Sequence, residues 1–356
     1  WVSSRSAWSR GIRRALTPSF DMKRVLITGA GGFVGARLAR HLLANPPAVW
    51  GGSPALTLTD QYPLPPDLVA DARVTAVVGP LGDQAALFSS GFDAVFHLAS
   101  AVSGECELDF ELGLRSNLDG TRILLEGLRQ AGNHPTVVFS SSIAVYGPDP
   151  GLLMPAVVDE DTLPAPQTSY GTHKLMCEYL IADYTRKGFI DGRSARLMTV
   201  AVRPGKPNGA ASSFFSGIIR EPLAGVEAVC PVDPQTAHPL ASPQSTVLSL
   251  VGLMTASRDV LKRRLAVTLP AVNVTVAEML DALERVAGPA VRARVRFAHD
   301  ARIAGIVANW PRAAKATTAT GVLGFPGDPS FDSIIQQYID DMRLAGHAAT
   351  ALKGMA

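Results

Sequence analysis

The sequence predicts an α/β protein, a Rossmann-type doubly wound parallel sheet with a smaller C-terminal substrate-binding region. Three observations predict it. Short apolar, β-branched runs alternate with stretches whose apolar residues recur every three or four positions. A glycine array joins the first run to the first such stretch. After residue 202 the alternation weakens into Pro- and Gly-punctuated loops before helix and strand signals resume.

The elements follow in order. KRVLIT (23–28), ALTLTD (55–60), RVTAVV (73–78), DAVFHLA (93–99), TVVFSSS (136–142) and ARLMTVAV (195–202) read as strands. Near-continuous apolar runs of this length suit a parallel sheet covered on both faces. Between them, FVGARLARHLLA (33–44), LRSNLDGTRILLEGLRQA (114–131) and SYGTHKLMCEYLIADYTRKG (169–188) carry the spacing of helices packed on a sheet. Later pieces predict a helix near 245–257, a strand near 265–269, a helix near 275–287 and a last helix near 331–344.

Composition narrows the function. The chain has 356 residues, 47% of them hydrophobic, and a net charge of +2 with acids and bases interspersed. No basic footprint for nucleic acid or a membrane surface stands out, so the expected partner is a small molecule. No apolar run approaches the roughly 18 residues of a spanning helix. Cys106, Cys177 and Cys230 are far apart and form no Cys-x-x-Cys pair, so reduced buried thiols in a cytoplasmic protein are expected, with no metal site. The first 21 residues carry Arg5, Arg10, Arg13 and Arg14 with several serines and no acid before Asp21, the composition of a transit peptide. Met22 stands directly before KRVLITGAGG, where a compact domain would begin, so residues 1–21 are expected to be an extension outside the fold.

The array TGAGGFVG places Gly29, Gly32 and Gly35 between the first strand and the first helix. Glycine there permits a tight turn, close approach of backbone N–H groups to a pyrophosphate, and close helix–sheet packing. Asp60 ends the second strand, where its carboxylate accepts hydrogen bonds from both adenosine ribose hydroxyls and repels a 2′-phosphate. The pattern therefore expects NAD rather than NADP. The domain expectation is an NAD-binding unit over 22–205 that carries the catalytic residues. Residues 206–356 would mainly bind substrate, with a segment at about 240–270 returning to the first unit.

Tyr170 and Lys174 stand four apart on one helix face. A lysine ammonium beside a phenol favours phenolate and makes tyrosine a general base. The strand carrying Ser140, Ser141 and Ser142 ends at the carboxyl edge of the sheet, where ligands of open α/β folds bind.

TGAGGFVG, Asp60, HLAS (97–100), Asn117 in SNLDGT, SSSIAVYG, YGTHK and VRPG together resemble the extended short-chain dehydrogenase/reductase family, from residue 22 onward. The resemblance implies that Ser142 holds the substrate hydroxyl, Tyr170 is the acid/base, and Lys174 binds the cofactor ribose and lowers the Tyr170 pKa. It puts Phe33 and Val34 at the pyrophosphate, and Leu81, Leu98, Ala99, Ser100, Asn117 and Pro204 around the rest of the cofactor. One departure is visible: Gly79-Pro80 stands where the family has Gly-Asp, leaving an adenine-side contact that Asp83 would have to supply.

Within the family, YGTHKLMCEYLIADYTRKGFIDGRSARL, VRPGKPNGAASSFFSGIIREPLAG, GECELDFELGLRSN and LGFPGDPSFDSIIQQYI resemble the branch that oxidises the C2 hydroxyl of the four-carbon acid D-erythronate with NAD. A sugar acid needs a cation for its carboxylate. Lys206 and Arg220 are the first candidates and Arg203 a weaker one, with Ser103, Asn208, Ser212 and Ser213 for the hydroxyls and His238 as a further loop candidate. Two alternatives stay open: a nucleotide-sugar 4-epimerase of the same family, and a non-catalytic NAD-binding regulatory protein. The resemblance also implies a homodimer through the helices at 108–131 and 170–188.

Overall fold

The computed structural model describes residues 23–205 and 211–355. The predicted extension at 1–21 and the candidates Lys206 and Asn208 lie outside the described residues. The strands are β1 (Arg24–Thr28), β2 (Ala55–Asp60), β3 (Val74–Val78), β4 (Ala94–His97), β5 (Thr136–Ser142), β6 (Asp191–Leu197), β7 (Thr199–Val200), β8 (Ala228–Cys230), β9 (Ala237–Ala241), β10 (Val267–Thr268), β11 (Val272–Thr275) and β12 (Val295–Phe297).

Seven strands form one parallel sheet in the order β10-β6-β5-β4-β1-β2-β3. The order reverses between β1 and β4, and a doubly wound sheet opens its ligand crevice at that point. Alternation along each strand divides the apolar residues between two layers. Val25 and Ile27 pack with the helices Phe33–Ala44 and Pro243–Thr255 on one face. Leu26 packs with Gly120–Ala131 and Ser169–Arg186 on the other. Leu38 of the first helix is fully buried, and truncating such a leucine to alanine costs about 2–5 kcal/mol.

The sixth strand differs from its expectation at 195–202. It starts at Asp191 and stops at Leu197, after which β7 joins β9 and β11 in a separate sheet. The polar DGRS opening disguised it. Arg193 is buried in the strand and pairs with Asp191, while Arg196 is buried against Glu178. The fourth strand is shorter than expected: the Leu98 N–H makes the last ladder bond, to the Thr28 carbonyl at 3.1 Å, and the Ala99 N–H turns to the Thr28 hydroxyl at 3.2 Å. The C-terminal pieces build a second core, in which Phe215, Ile219, Leu240, Met279, Leu283 and Ile335 are buried together.

Candidate active site

The first turn is a cradle that only glycine fits. Gly29 adopts φ +70, and a Cβ there would stand 2.6 Å from the Ala99 nitrogen. A Cβ on Gly35 would stand 2.2 Å from the Gly29 carbonyl oxygen. Gly32 caps the helix Phe33–Ala44 with no side-chain bond, so the first-turn N–H groups face the crevice at the positive end of the helix. Asp60 leans over this turn: one carboxylate oxygen accepts from the Gly31 N–H at 2.9 Å, the other from the Tyr62 N–H at 3.1 Å. An N–H-lined cradle beside a strand-end carboxylate fits the pyrophosphate and the diol-bearing ribose of NAD.

The loop after β4 forms the other lip. Asn117 lies in a widened helical turn, Leu114–Asp119, that swings its amide toward this loop. Its Oδ1 accepts from the Ala101 N–H at 2.7 Å and the Ser100 hydroxyl at 3.1 Å, and its Nδ2 donates to the Ala101 carbonyl at 3.2 Å. Asn117 thus fastens Ser100 and its neighbours and acts on the crevice through them. Leu81 packs against Gly120 beside the same helix. Ser103 begins a short helix, Ser103–Leu108, beyond the lip, and Pro204 is exposed after β7. At the Gly79-Pro80 departure Asp83 is exposed, whereas Gln84 folds back to donate to the Gly79 carbonyl at 2.7 Å.

Three consecutive residues of β5 meet three turns of the helix Ser169–Arg186. The Ser140 carbonyl accepts from the Lys174 ammonium at 2.7 Å. The Ser141 hydroxyl donates to the Glu178 carboxylate. The Ser142 hydroxyl accepts from the Ala144 N–H at 3.1 Å and lies close enough to the Tyr170 phenol to pull its pKa down. Glu178 is in turn clasped in the interior by Arg196, through Nε at 2.9 Å and Nη2 at 2.7 Å. Sequence reasoning named Ser142, Tyr170 and Lys174, which the fold brings near one another, and missed the Glu178–Arg196 clasp. A readable signal existed: an acid four residues beyond Lys174, on the same helical face, and a lone arginine inside an apolar strand.

Electrostatics separate the three groups. Lys174 is buried, and desolvation pulls its pKa down to about 8. Its ammonium lies 5.5 Å from the Tyr170 ring centre and 4.8 Å from that of Phe139. Burial pushes the Tyr170 phenol up, and the Ser142 hydroxyl and the Arg203 charge pull it back. His97 below them is held down at about 3, first by burial and then by Lys174. Its tautomer follows from its neighbours: the Thr121 hydroxyl donates to the Asn117 carbonyl at 2.6 Å, so it accepts from His97 Nε2, and Nδ1 accepts from Thr28 at 2.7 Å.

The cation facing Tyr170 is Arg203. Its guanidinium lies 5.7 Å from the Phe33 ring centre, Nε donates to the Val200 carbonyl at 2.9 Å, and Nη2 reaches the Ser212 hydroxyl at 3.4 Å. Arg220, ranked above it from sequence, is buried and donates to the Arg203 carbonyl at 2.9 Å while pairing with Glu221. Its guanidinium is engaged within the fold and braces the segment that presents Arg203. His238 is also internal, stacked on Phe215 at 5.1 Å, with Nε2 bonded to the Thr199 hydroxyl at 2.7 Å and Nδ1 to the Pro311 carbonyl at 3.1 Å. Burial holds it at about 4, a neutral core histidine.

The family model for NAD-dependent epimerases and dehydratases matches residues 25–234, which contain the glycine turn, Asp60, Asn117, Ser142, Tyr170, Lys174 and Arg203. The chain belongs to the NAD-dependent epimerase/dehydratase family. NAD is the cofactor of this family member, as the fitted cradle requires. It is 49% identical over 328 residues to a D-erythronate dehydrogenase of Cupriavidus necator, covering 90% of this chain and 99% of that one. A D-erythronate dehydrogenase of Haemophilus influenzae is 41% identical, over 89% of this chain and 99% of the relative. Among solved structures, a nucleoside-diphosphate-sugar epimerase from Agrobacterium tumefaciens superposes with a TM-score of 0.85 at 40% identity, over 91% of this chain and 95% of that one. Among the described residues no helix is long and apolar enough to cross a membrane.

Proposed function

We propose that this family member oxidises the C2 hydroxyl of a short sugar acid, D-erythronate, to the 2-oxo acid. It is an NAD-dependent dehydrogenase acting on a CH–OH group. The observation that supports the substrate reading is a cation beside the cofactor turn whose charge reaches the base: Arg203 lies 5.7 Å from the Phe33 ring centre and pulls on the Tyr170 phenol, which is near Ser142 and 5.5 Å from the Lys174 ammonium at its ring centre. In this reading Arg203 takes the carboxylate, Ser142 holds the C2 oxygen, and Tyr170 removes the hydroxyl proton while the Lys174 ammonium stabilises the phenolate. Bound NAD⁺ supplies the acceptor for the hydride leaving C2. Lys206 and Asn208 keep their expected substrate role as part of the proposal, as do Ser103 and Ser212.

The test is NADH production from external NAD⁺ with D-erythronate, set against other four- to six-carbon aldonates and with NADP⁺ in parallel. Absence of turnover across the series would sink the reading. A second reading is a nucleotide-sugar epimerase, favoured by the 40% identity to the Agrobacterium structure. Retained cofactor, no net NADH and conversion of a UDP-sugar would establish it instead. We also propose a cytoplasmic homodimer. The exposed side chains of Phe110 and Met176 supply apolar surface to its two-fold interface, and light scattering of a monomer at micromolar concentration would refute it.

A further inference from the structure

We infer that a basic pocket at the far end of the catalytic helix binds a small phosphoanhydride anion. A cavity of about 980 Å³ lies between the C-terminal half of Ser169–Arg186 and the segment leading into β10. Asp191, the first residue of β6, lines it, so it opens at the sheet edge opposite the crevice. Sixteen residues of helix separate Tyr170 from Arg186, about 24 Å.

Arg186, Arg258, Lys262, Arg263 and Arg264 line the pocket with two carboxylates, Asp183 and Asp191. That is a greater excess of positive charge than the whole chain carries at +2. Both acids are already engaged, Asp183 by Arg186 and Asp191 by Arg193 and Arg258. Lys262 and Arg264 are exposed, and among the described residues neither side chain has a hydrogen-bond or ion-pair partner. Arg263 reaches the Thr318 hydroxyl at 3.4 Å, but its Nε is buried and unpartnered.

The backbone holds these cations together at a cost. Lys262 adopts φ 55, ψ −43 inside a three-residue turn closed by the Arg263 N–H on the Leu261 carbonyl at 2.6 Å. A non-glycine residue in this region is strained. Arg258 keeps it there, anchored on Asp191 and donating to the Arg263 carbonyl at 2.8 Å. Three successive cations on a braced, strained turn over a concave wall focus positive potential. Guanidinium forks match phosphate oxygens in pairs, and several unpaired cations suit a multiply charged anion better than a single carboxylate.

The probe is inorganic tripolyphosphate, with ATP as the second arm, titrated calorimetrically into the enzyme saturated with NAD⁺ so that the cofactor cradle is filled. Comparing the two dissociation constants separates recognition of a bare phosphate chain from that of a nucleotide. The control variant is Lys262→Gly/Arg264→Ala, because glycine relaxes the positive φ and both positions are exposed, which keeps the fold intact. Binding that weakens by about tenfold or more in the variant supports the site. Equal binding by the variant, or no heat beyond sodium chloride at matched ionic strength, overturns it.

Discussion

The Lys174 ammonium donates to the Ser140 carbonyl at 2.7 Å, and one helical turn later Glu178 accepts from the very next strand residue, Ser141. Strand and helix are therefore locked in one register, and Ser142 is left facing Tyr170. Glu178→Gln leaves Arg196 as a buried unpaired charge, so unfolding free energy should fall by about 3–5 kcal/mol. Ser141→Ala spares the ion pair and removes only the strand link, for about 1.5–3 kcal/mol. Its kcat should fall while the KM for NAD⁺ holds. A Ser141→Ala enzyme with native kcat would show that the register does not depend on this bond.

Tyr170→Phe should lower kcat by about 10²–10⁴, the usual contribution of a positioned acid or base, with NAD⁺ binding unchanged. Lys174 carries a sign of its own. Its folded pKa of about 8 lies below the unfolded value, so the buried charge destabilises the fold below pH 8, and that penalty fades as pH rises toward about 10.4. Lys174→Met should thus be more stable by about 3 kcal/mol at pH 7, lose most of the gain by about pH 10, and be nearly inactive. Urea unfolding at the two pH values checks it; a variant no more stable at pH 7 would contradict the burial penalty.

Arg203→Met should raise the KM for the sugar acid far more than that for NAD⁺. The Arg203 charge also pulls the Tyr170 pKa down, so its removal should move the rising limb of kcat/KM to higher pH. A KM increase with an unmoved limb would separate carboxylate binding from the effect on the phenol. Arg220→Met, by contrast, should act on stability first, since Arg220 pairs with Glu221 and braces the Arg203 carbonyl.

His97 and His238 are both buried, and their pKa values are held at about 3 and about 4. The unfolded chain binds their protons first, near pH 6.5, so stability falls with pH below that point. Each should contribute a loss of about 2 kcal/mol between pH 7 and pH 5. Denaturant melts at the two pH values measure it, and a flat response would mean that the folded protein protonates these rings.

Much of this was legible because local pattern and tertiary role coincide. The helices at 33–44 and 331–344 fall where their apolar spacing put them, and the glycine turn reports its own backbone constraint. Three kinds of feature were hidden. The opening of β6 was disguised because Arg193 is buried through a partner 60 residues away in sequence, Leu253. The choice between Arg203 and Arg220 depends on which way each guanidinium points, and a helix hides that direction until its packing is known. The short strands β7, β8 and β12, of two or three residues, carry too little periodicity to announce themselves.

One residue, Met198, carries the chain from the seven-stranded sheet at Leu197 into the three-stranded one at Thr199, and Arg203 follows four residues later. In the proposed reading, hydride chemistry is anchored before Met198 and substrate grip after it. In evolutionary terms the two are separately replaceable: a relative can acquire a new substrate by rewriting the segment beyond β7 while inheriting the Ser142–Tyr170–Lys174 register untouched.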